Sequence, residues 1–377
     1  MRIGKIKVNH YINYVVIGLL TVVMGTISLT GGRLDNSLVF LLEKMAISII
    51  LAVSLSLVVG FLGELSLGHA GFMCVGAYLG GKVAALLVPT LGNGVATFAI
   101  SLLAGSAAAA LCGVIIGIPA LRLRGDYLAI VTLAFGEIVK SLFQNTSDES
   151  FGGTLGLDTP RFNKQYLFII AFVLVLVTLA VVQNLIRSKH GRAVTAVRDN
   201  EIAAKATGVN VTKYKLITFT ISAAFAGVAG VLYSYSNYTV QSAKFSYNYS
   251  IEILVMVVLG SMGSINGSIV AAALITWLNT WLPTKLTGDL AVLQNLLYAM
   301  ILIVLVIYNN APALKGMRDK YNISVLLSKL QKHDPSHIHD DKAKWDVVPT
   351  KISMDEILSI DVTPQNLSAD KENGGKH

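Results

Sequence analysis

An all-α, polytopic membrane protein is the fold class this 377-residue sequence predicts, and three observations predict it. Hydrophobic residues make up 54% of the chain and charged residues only 14%, where a soluble domain carries about 25% charge. The apolar residues are gathered into runs of the length that crosses a bilayer as helix, about 20 residues. Between those runs lie short basic loops. A chain with this mean hydropathy, +0.63, cannot clothe itself in polar surface, so lipid must be its solvent.

The first run follows Arg2, Lys5 and Lys7 and extends from Tyr11 to Leu29. It is longer than a signal-peptide core and lacks a small-residue cleavage site, so an uncleaved span starting in the cytoplasm is expected. Further spans are expected at Leu38–Val59, Phe72–Val88, Val95–Ile118, Tyr127–Phe143, Tyr166–Ile186, Tyr214–Ser236 and Leu290–Tyr308, giving about eight transmembrane helices. One more apolar stretch, Ile251–Leu282, is interrupted at Gly260–Gly267 and either crosses fully or re-enters. Basic residues test this order. Arg122 and Arg124, the cluster from Arg187 to Lys215, and Lys315, Arg318 and Lys320 all fall in the cytoplasm if the interrupted stretch enters and leaves on one side. Both termini are then cytoplasmic in a multi-pass, bacterial-type cell membrane protein.

Residues 311–377 hold ten basic and ten acidic residues, so the net charge of +8 resides in residues 1–310. This division predicts a membrane domain over 1–310 and a polar cytoplasmic tail over 311–377, with a short docked helix at Trp345–Ile360 and a disordered end. The basic surplus reports topology, and no nucleic-acid partner is expected. Cys74 and Cys112 lie in apolar stretches without ligand spacing and read as small hydrophobes. His337-Ile338-His339-Asp340-Asp341 reads as solvated tail, so no metal site is expected, nor any catalytic set.

Glycine placement points to a site. One cluster runs from Val59 to Phe72 and contains Gly60, Gly63, Glu64, Ser66, Gly68, His69 and Gly71. The other, 200 residues later, contains Gly260, Gly263, Ser264, Asn266 and Gly267. Each opens on an apolar residue and Gly-x-x-Gly. Paired Gly-broken hydrophobic segments mark the central site of many transporters, although single glycines also serve as helix-packing faces. The substrate-pathway candidates are therefore Gly63, Glu64, Ser66, Gly68, His69, Gly71, Glu252, Gly260, Gly263 and Ser264. An ionisable side chain at such a depth is costly and often functional, while His69 reads equally well as a hydrogen-bonded structural histidine. Glu137 and Lys140, three apart, can pair on one helix face near the interface.

The loop over residues 187–213 carries a second signal. Asp199 or Asn200 can cap a helix, Glu201 suits its first turn, and Gly208 can end it. A surface helix of about two turns is expected, kept low in profile by Ala203 and Ala204. Its Ala-Ala-x-x-x-Gly core resembles the coupling motif of permease subunits in ATP-binding-cassette importers. Together with Gly63–Ala70, Leu121–Leu133 and Ser250–Gly263, it resembles the second permease subunit of high-affinity branched-chain amino-acid importers, over roughly Leu41–Tyr308. Glu201 stands one place earlier than the general Glu-Ala-Ala pattern, and Gly260-Ser261-Met262-Gly263 stands where relatives often carry consecutive glycines.

The resemblance implies a homologous partner permease, two cytoplasmic ATPase subunits using ATP and Mg, an extracytoplasmic substrate-binding protein, and surrounding lipid. It assigns ATPase coupling to Arg192, Arg198, Asp199, Glu201, Ala203, Ala204 and Gly208, and leucine, isoleucine or valine as cargo. The chain has no Gly-x-x-x-x-Gly-Lys-[Ser/Thr] motif, so it is expected to bind no cofactor and to be no enzyme. Urea, short amides or other amino acids are alternative cargoes. A proton-coupled secondary carrier working through Glu64, His69 or Glu252 is the rival from another class.

Overall fold

The computed structural model describes residues 35–285, apart from Arg124 and residues 161–163, with isolated helical residues at 17, 18, 21, 299, 300, 303 and 307. Apart from those isolated residues, the expected spans Tyr11–Leu29 and Leu290–Tyr308 lie outside the described residues, as does the whole tail from Ala311.

The helices are α1 (Asn36–Ser56), α2 (His69–Leu91), α3 (Val95–Ala120), α4 (Asp126–Gln144), α5 (Asp148–Phe151), α6 (Lys164–Arg187), α7 (Lys189–Asp199), α8 (Glu201–Ala206), α9 (Val211–Ser236), α10 (Tyr247–Leu259) and α11 (Ile265–Lys285). A π-helical turn, Leu57–Leu62, continues α1. Two two-residue strands, β1 (Leu157–Asp158) and β2 (Thr239–Val240), pair antiparallel with Leu157 opposite Val240. Among the described residues six helices are long and apolar enough to cross a membrane: α1 with its π turn, α2, α3, α6, α9 and α11. Helix α4 covers the expected span Tyr127–Phe143 but is not among those six; its Lys140 Nζ donates to Glu137 Oε2 at 2.6 Å.

Several helix starts have a local cause. Asp35 accepts from Ser37 N, Ser188 from His190 N and Gly191 N, and Asn210 from Lys213 N, satisfying amides that have no intrahelical partner. Helix α2 begins at His69, three residues before the expected Phe72, because Gly68 already accepts from Gly71 N and Phe72 N.

In lipid no hydrophobic force drives apolar helices together, so close backbone approach and dispersion must do it. The chain meets this need with small residues where α2, α3 and α9 cross. A Cβ built on Gly76 would lie 2.5 Å from Gly227 Cα, and one on Gly230 would lie 2.1 Å from Met73 O. Helix α1 is the most enclosed, packed by α6, α9, α10 and α11. Buried hydroxyls tie it in: Ser222 Oγ donates to Ser54 O at 2.6 Å.

Helices α1 and α10 both run toward the end of the molecule that carries α7 and α8, here termed the basic end. Helices α2 and α11 run back from it. The hairpin α10–α11 therefore enters and leaves on one side, with Gly260 packed on Gly267 and Ser268 at its turn and Asn279 Nδ2 donating to Glu252 Oε1 higher up.

Candidate functional site

The two glycine-broken segments, 200 residues apart in sequence, meet at the basic end. A Cβ on Gly60 would come within 2.5 Å of Gly263 N. Both turns use a glycine at positive φ, Gly63 at 80° and Gly263 at 86°, where a side chain would be strained. The same local device thus closes α1 and the turn after α10.

Above this contact sits α7. Arg198 Nη1 donates to Gly60 O at 3.1 Å, and its side chain covers Gly63 so closely that a Cβ there would lie 2.6 Å from Arg198 Cγ. Arg198 also donates through Nε and Nη2 to Asp199 Oδ1. Helix α8 follows at once. Asn200 Oδ1 accepts from Ile202 N and Ala203 N, both at 3.0 Å, and Gly208 at φ +85° ends the turn. Ala204 is buried under α8 while Ile202 is 76% exposed, so α8 presents an apolar side chain outward.

Lys215, buried near the start of α9, joins these parts. Its ammonium donates to Glu64 Oε1 of the first broken segment and, at 3.3 Å, to Glu201 Oε2 of α8. Lys205 Nζ donates to Glu201 Oε1 at 2.8 Å. These hydrogen bonds, Lys205's first and then the charge of Lys215, hold the Glu201 carboxyl below the usual carboxylate range against the opposing effect of burial. A carboxyl depressed in the folded state contributes stability above its unfolded pKa, about 4.3. That contribution is lost as pH falls through the folded value. Thermal melting of the purified protein between pH 7 and 3 should therefore show a constant gap between wild type and Glu201→Gln above about pH 4.3 that closes below it. A gap independent of pH across that range would contradict the pairing.

The remaining candidates are placed as follows. His69 is buried, with Nε2 2.8 Å from Ser54 Oγ; because Ser54 donates to Leu51 O, the serine accepts from the imidazole. The start of α2, a potential seat for a carboxylate, is filled from within: Ala70 N donates to Ser250 Oγ at 3.2 Å. Orphan amides in apolar surroundings need such a partner. Gly68 packs on Thr132 O, Gly71 on Gly136, and Leu67 N donates to Thr132 Oγ1. Ser66 Oγ is buried and, among the described residues, lacks a hydrogen-bond partner. Ser264 Oγ accepts from Gly267 N at the start of α11. Arg192, Ala203 and Gly208 are exposed on the basic end.

Glu252, one turn into α10, stands apart from this junction, nearer the opposite end. With Lys44 of α1, Lys244, and Asn279 of α11 it lines a cavity of about 330 Å³. Sequence reasoning passed over Lys44 and Asn279. The signal was present, since Glu43 and Lys44 interrupt an otherwise apolar run. Lys215 was read only as part of the basic cluster.

The described residues form an all-α arrangement with six helices long and apolar enough to cross a membrane, and paired Gly-broken helices of this kind are common in transporters. A family model described as "Branched-chain amino acid transport system / permease component" matches residues 37–307, and the chain belongs to that family. It is 39% identical over 260 residues to the high-affinity branched-chain amino acid transport system permease protein LivM of Salmonella typhimurium, which covers 61% of this chain and 60% of that one. Its likeness to the probable LivM of Methanocaldococcus jannaschii is 30% over 193 residues, 48% of this chain and 54% of that one. The ribose import permease protein RbsC of Escherichia coli K12 is 26% identical over 299 residues, 73% of this chain and 86% of that one. The chain spans about 60% of the length of the LivM relative it matches at 39% identity. No solved structure matches it.

Proposed function

We propose that this chain is the second permease subunit of an ATP-binding-cassette importer for branched-chain amino acids, working with a homologous partner permease, two ATPases and an extracytoplasmic binding protein. The observation that carries the proposal is the junction at the basic end. Helix α8, capped by Asn200 and outward-facing at Ile202, is joined through Lys215, and its neighbour α7 through Arg198, to the broken segment that ends α1, whose Gly60 packs on Gly263 after α10. The excess of Lys and Arg there favours a cytoplasmic location, which puts α8 where an ATPase can seat and both termini inside. ATP and Mg are used by the ATPases, and this chain binds neither.

Motion of α8 on ATP binding then moves both glycine turns together, because Gly60 and Gly263 are in backbone contact. Helices α1, α10 and α11 are displaced as units, and access to the path between them switches sides. No proton carrier is required: Glu64 is committed to Lys215, His69 to Ser54, and Glu252 accepts from Asn279.

The test is ATP-driven uptake of labelled leucine in vesicles holding the full set of subunits, each omitted in turn. Uptake requiring ATP and the binding protein supports the proposal; uptake by this chain alone under a proton gradient would overturn it. Competition by valine, urea and ribose distinguishes the cargoes, the last because the chain's likeness extends to a ribose permease. Gly208→Ile should lower uptake per ATP hydrolysed by at least about tenfold. Open space surrounds Gly208, so the cost is the β-branched side chain at positive φ, on the order of 1–3 kcal/mol, borne by the turn that holds α8. Unchanged uptake would remove α8 from the coupling path.

A further inference from the structure

Away from the basic end, one group is left without a chemical account by the coupling junction. Lys44 lies eight residues into α1, about 12 Å along the helix from Asn36. A lysine at that depth in an apolar helix is costly unless it is paired or serves a function. Among the described residues no carboxylate lies within ion-pairing distance of it; its Nζ sits over the Phe40 ring, 4.4 Å from the centroid. Lys44 faces the cavity shared with Lys244 and Glu252, close enough to both for their charges to interact.

Glu252 projects into the same cavity from α10, its Oε1 held by Asn279 Nδ2. Such a hydrogen bond fixes the carboxylate's orientation while leaving a second oxygen to accept. The cavity thus offers ammonium donors on one wall and a braced carboxylate on another. Ile47 and Phe245 add apolar surface, with the rings of Tyr233 and Tyr249 beside them. Its volume, about 330 Å³, is at the small end of ligand sites.

We infer that this cavity seats the zwitterionic head of an α-amino acid with an apolar side chain, Lys44 taking the carboxylate and Glu252 the ammonium. The inference rests on the permease reading above and names the residues that would recognise its cargo. The charge pattern has a reason. A zwitterion entering lipid depth must exchange hydration for groups of opposite sign at both of its ends. A ribose or a fatty acid offers no such pair. The cavity walls belong to α1, the end of α9, the segment between α9 and α10, α10 and α11; α1 ends at the segment tied to α8, and its Gly60 packs on Gly263 after α10, so a shift at the basic end reaches both binding groups. This makes the site one that ATP-driven motion can open and distort.

The experiment uses the assembled importer in vesicles with saturating binding protein and labelled leucine. Lys44→Met and Glu252→Gln should each lower the uptake rate at least tenfold with little change in apparent KM, which the binding protein sets. Lys44→Arg should keep half or more of the wild-type rate. Lys44→Met removes a charge from an apolar helix, so assembly should survive, and the amount of complex in the membrane checks it. In the purified complex without binding protein, leucine should displace labelled leucine far better than leucinamide or 4-methylpentanoate, which lack one charge each. Uptake by both neutral variants within twofold of an active wild type would overturn the cavity assignment and leave the permease reading standing. Equal displacement by 4-methylpentanoate would remove Glu252 from recognition. Absence of leucine uptake in the wild type would overturn the permease reading, and the assignment with it.

Discussion

Under the proposed function, Lys215→Met is expected to uncouple the importer, lowering leucine uptake by tenfold or more while ATP hydrolysis continues. Lys215 is buried at the start of α9, and its side chain is the cation between Glu64 and Glu201. Removing one member of a buried ion pair leaves the other desolvated and uncompensated, typically at 3–5 kcal/mol. Glu64 is 13% exposed in its side chain, so it bears most of that cost, whereas Glu201 keeps Lys205. The first broken segment would then lose its tie to α8 and keep only Arg198. A double-mutant cycle separates coupling from stability. Adding Glu64→Gln to Lys215→Met should recover much of the lost thermal stability, because the stranded charge is gone, but not the uptake, because the link is still absent. Lys215→Arg keeps the charge and should lie between. Recovery of uptake in the double variant would show that the ion pair is structural support and not the link.

Gly230→Leu is expected to have the larger effect on the fold, loss of the assembled protein from the membrane. The Cβ alone would fall 2.1 Å from Met73 O and 2.7 Å from Ala77 N, and both are backbone atoms of α2 that cannot yield without the helices parting. Separation would forfeit the dispersion contacts that hold helices together in lipid. A loss above about 4 kcal/mol is expected, beyond the about 1–3 kcal/mol of ordinary overpacking because the opposing atoms are backbone. Gly94→Ala is the control: no atom lies within 4 Å of its Cβ position and its φ of −117° suits any residue, so it should change stability by less than about 0.5 kcal/mol. Size-exclusion profiles and melting temperatures in detergent read both variants. A Gly230→Leu protein that elutes and melts like wild type would mean that α2 and α9 do not approach as described.

The fold class was legible in the sequence because lipid imposes strong and simple demands. Apolar runs of about 20 residues are needed to span. Leu38–Val59, Val95–Ile118 and Tyr166–Ile186 therefore fall within α1 and its π turn, α3 and α6. Helix α8 was legible for a different reason. Caps and terminators act within a few residues, so Asn200, Glu201 and Gly208 state their roles locally.

What only the tertiary structure decided is where the distant groups meet. The sequence displayed two Gly-x-x-Gly breaks and placed both on a substrate path; folding stacks them on each other under Arg198 at the basic end. Glu64 was read as an intramembrane ionisable group, and its partner Lys215 stands 151 residues away. Lys44 and Glu252 share a cavity although more than 200 residues separate them. Hydropathy and capping are sums over neighbours in the chain, and they determine that a helix forms and where it stops. Which faces of those helices touch depends on the small residues at their crossings, on α2, α3 and α9, and on the pairing of buried charge. Those are properties of pairs remote in sequence, and they become definite only when the helices have packed.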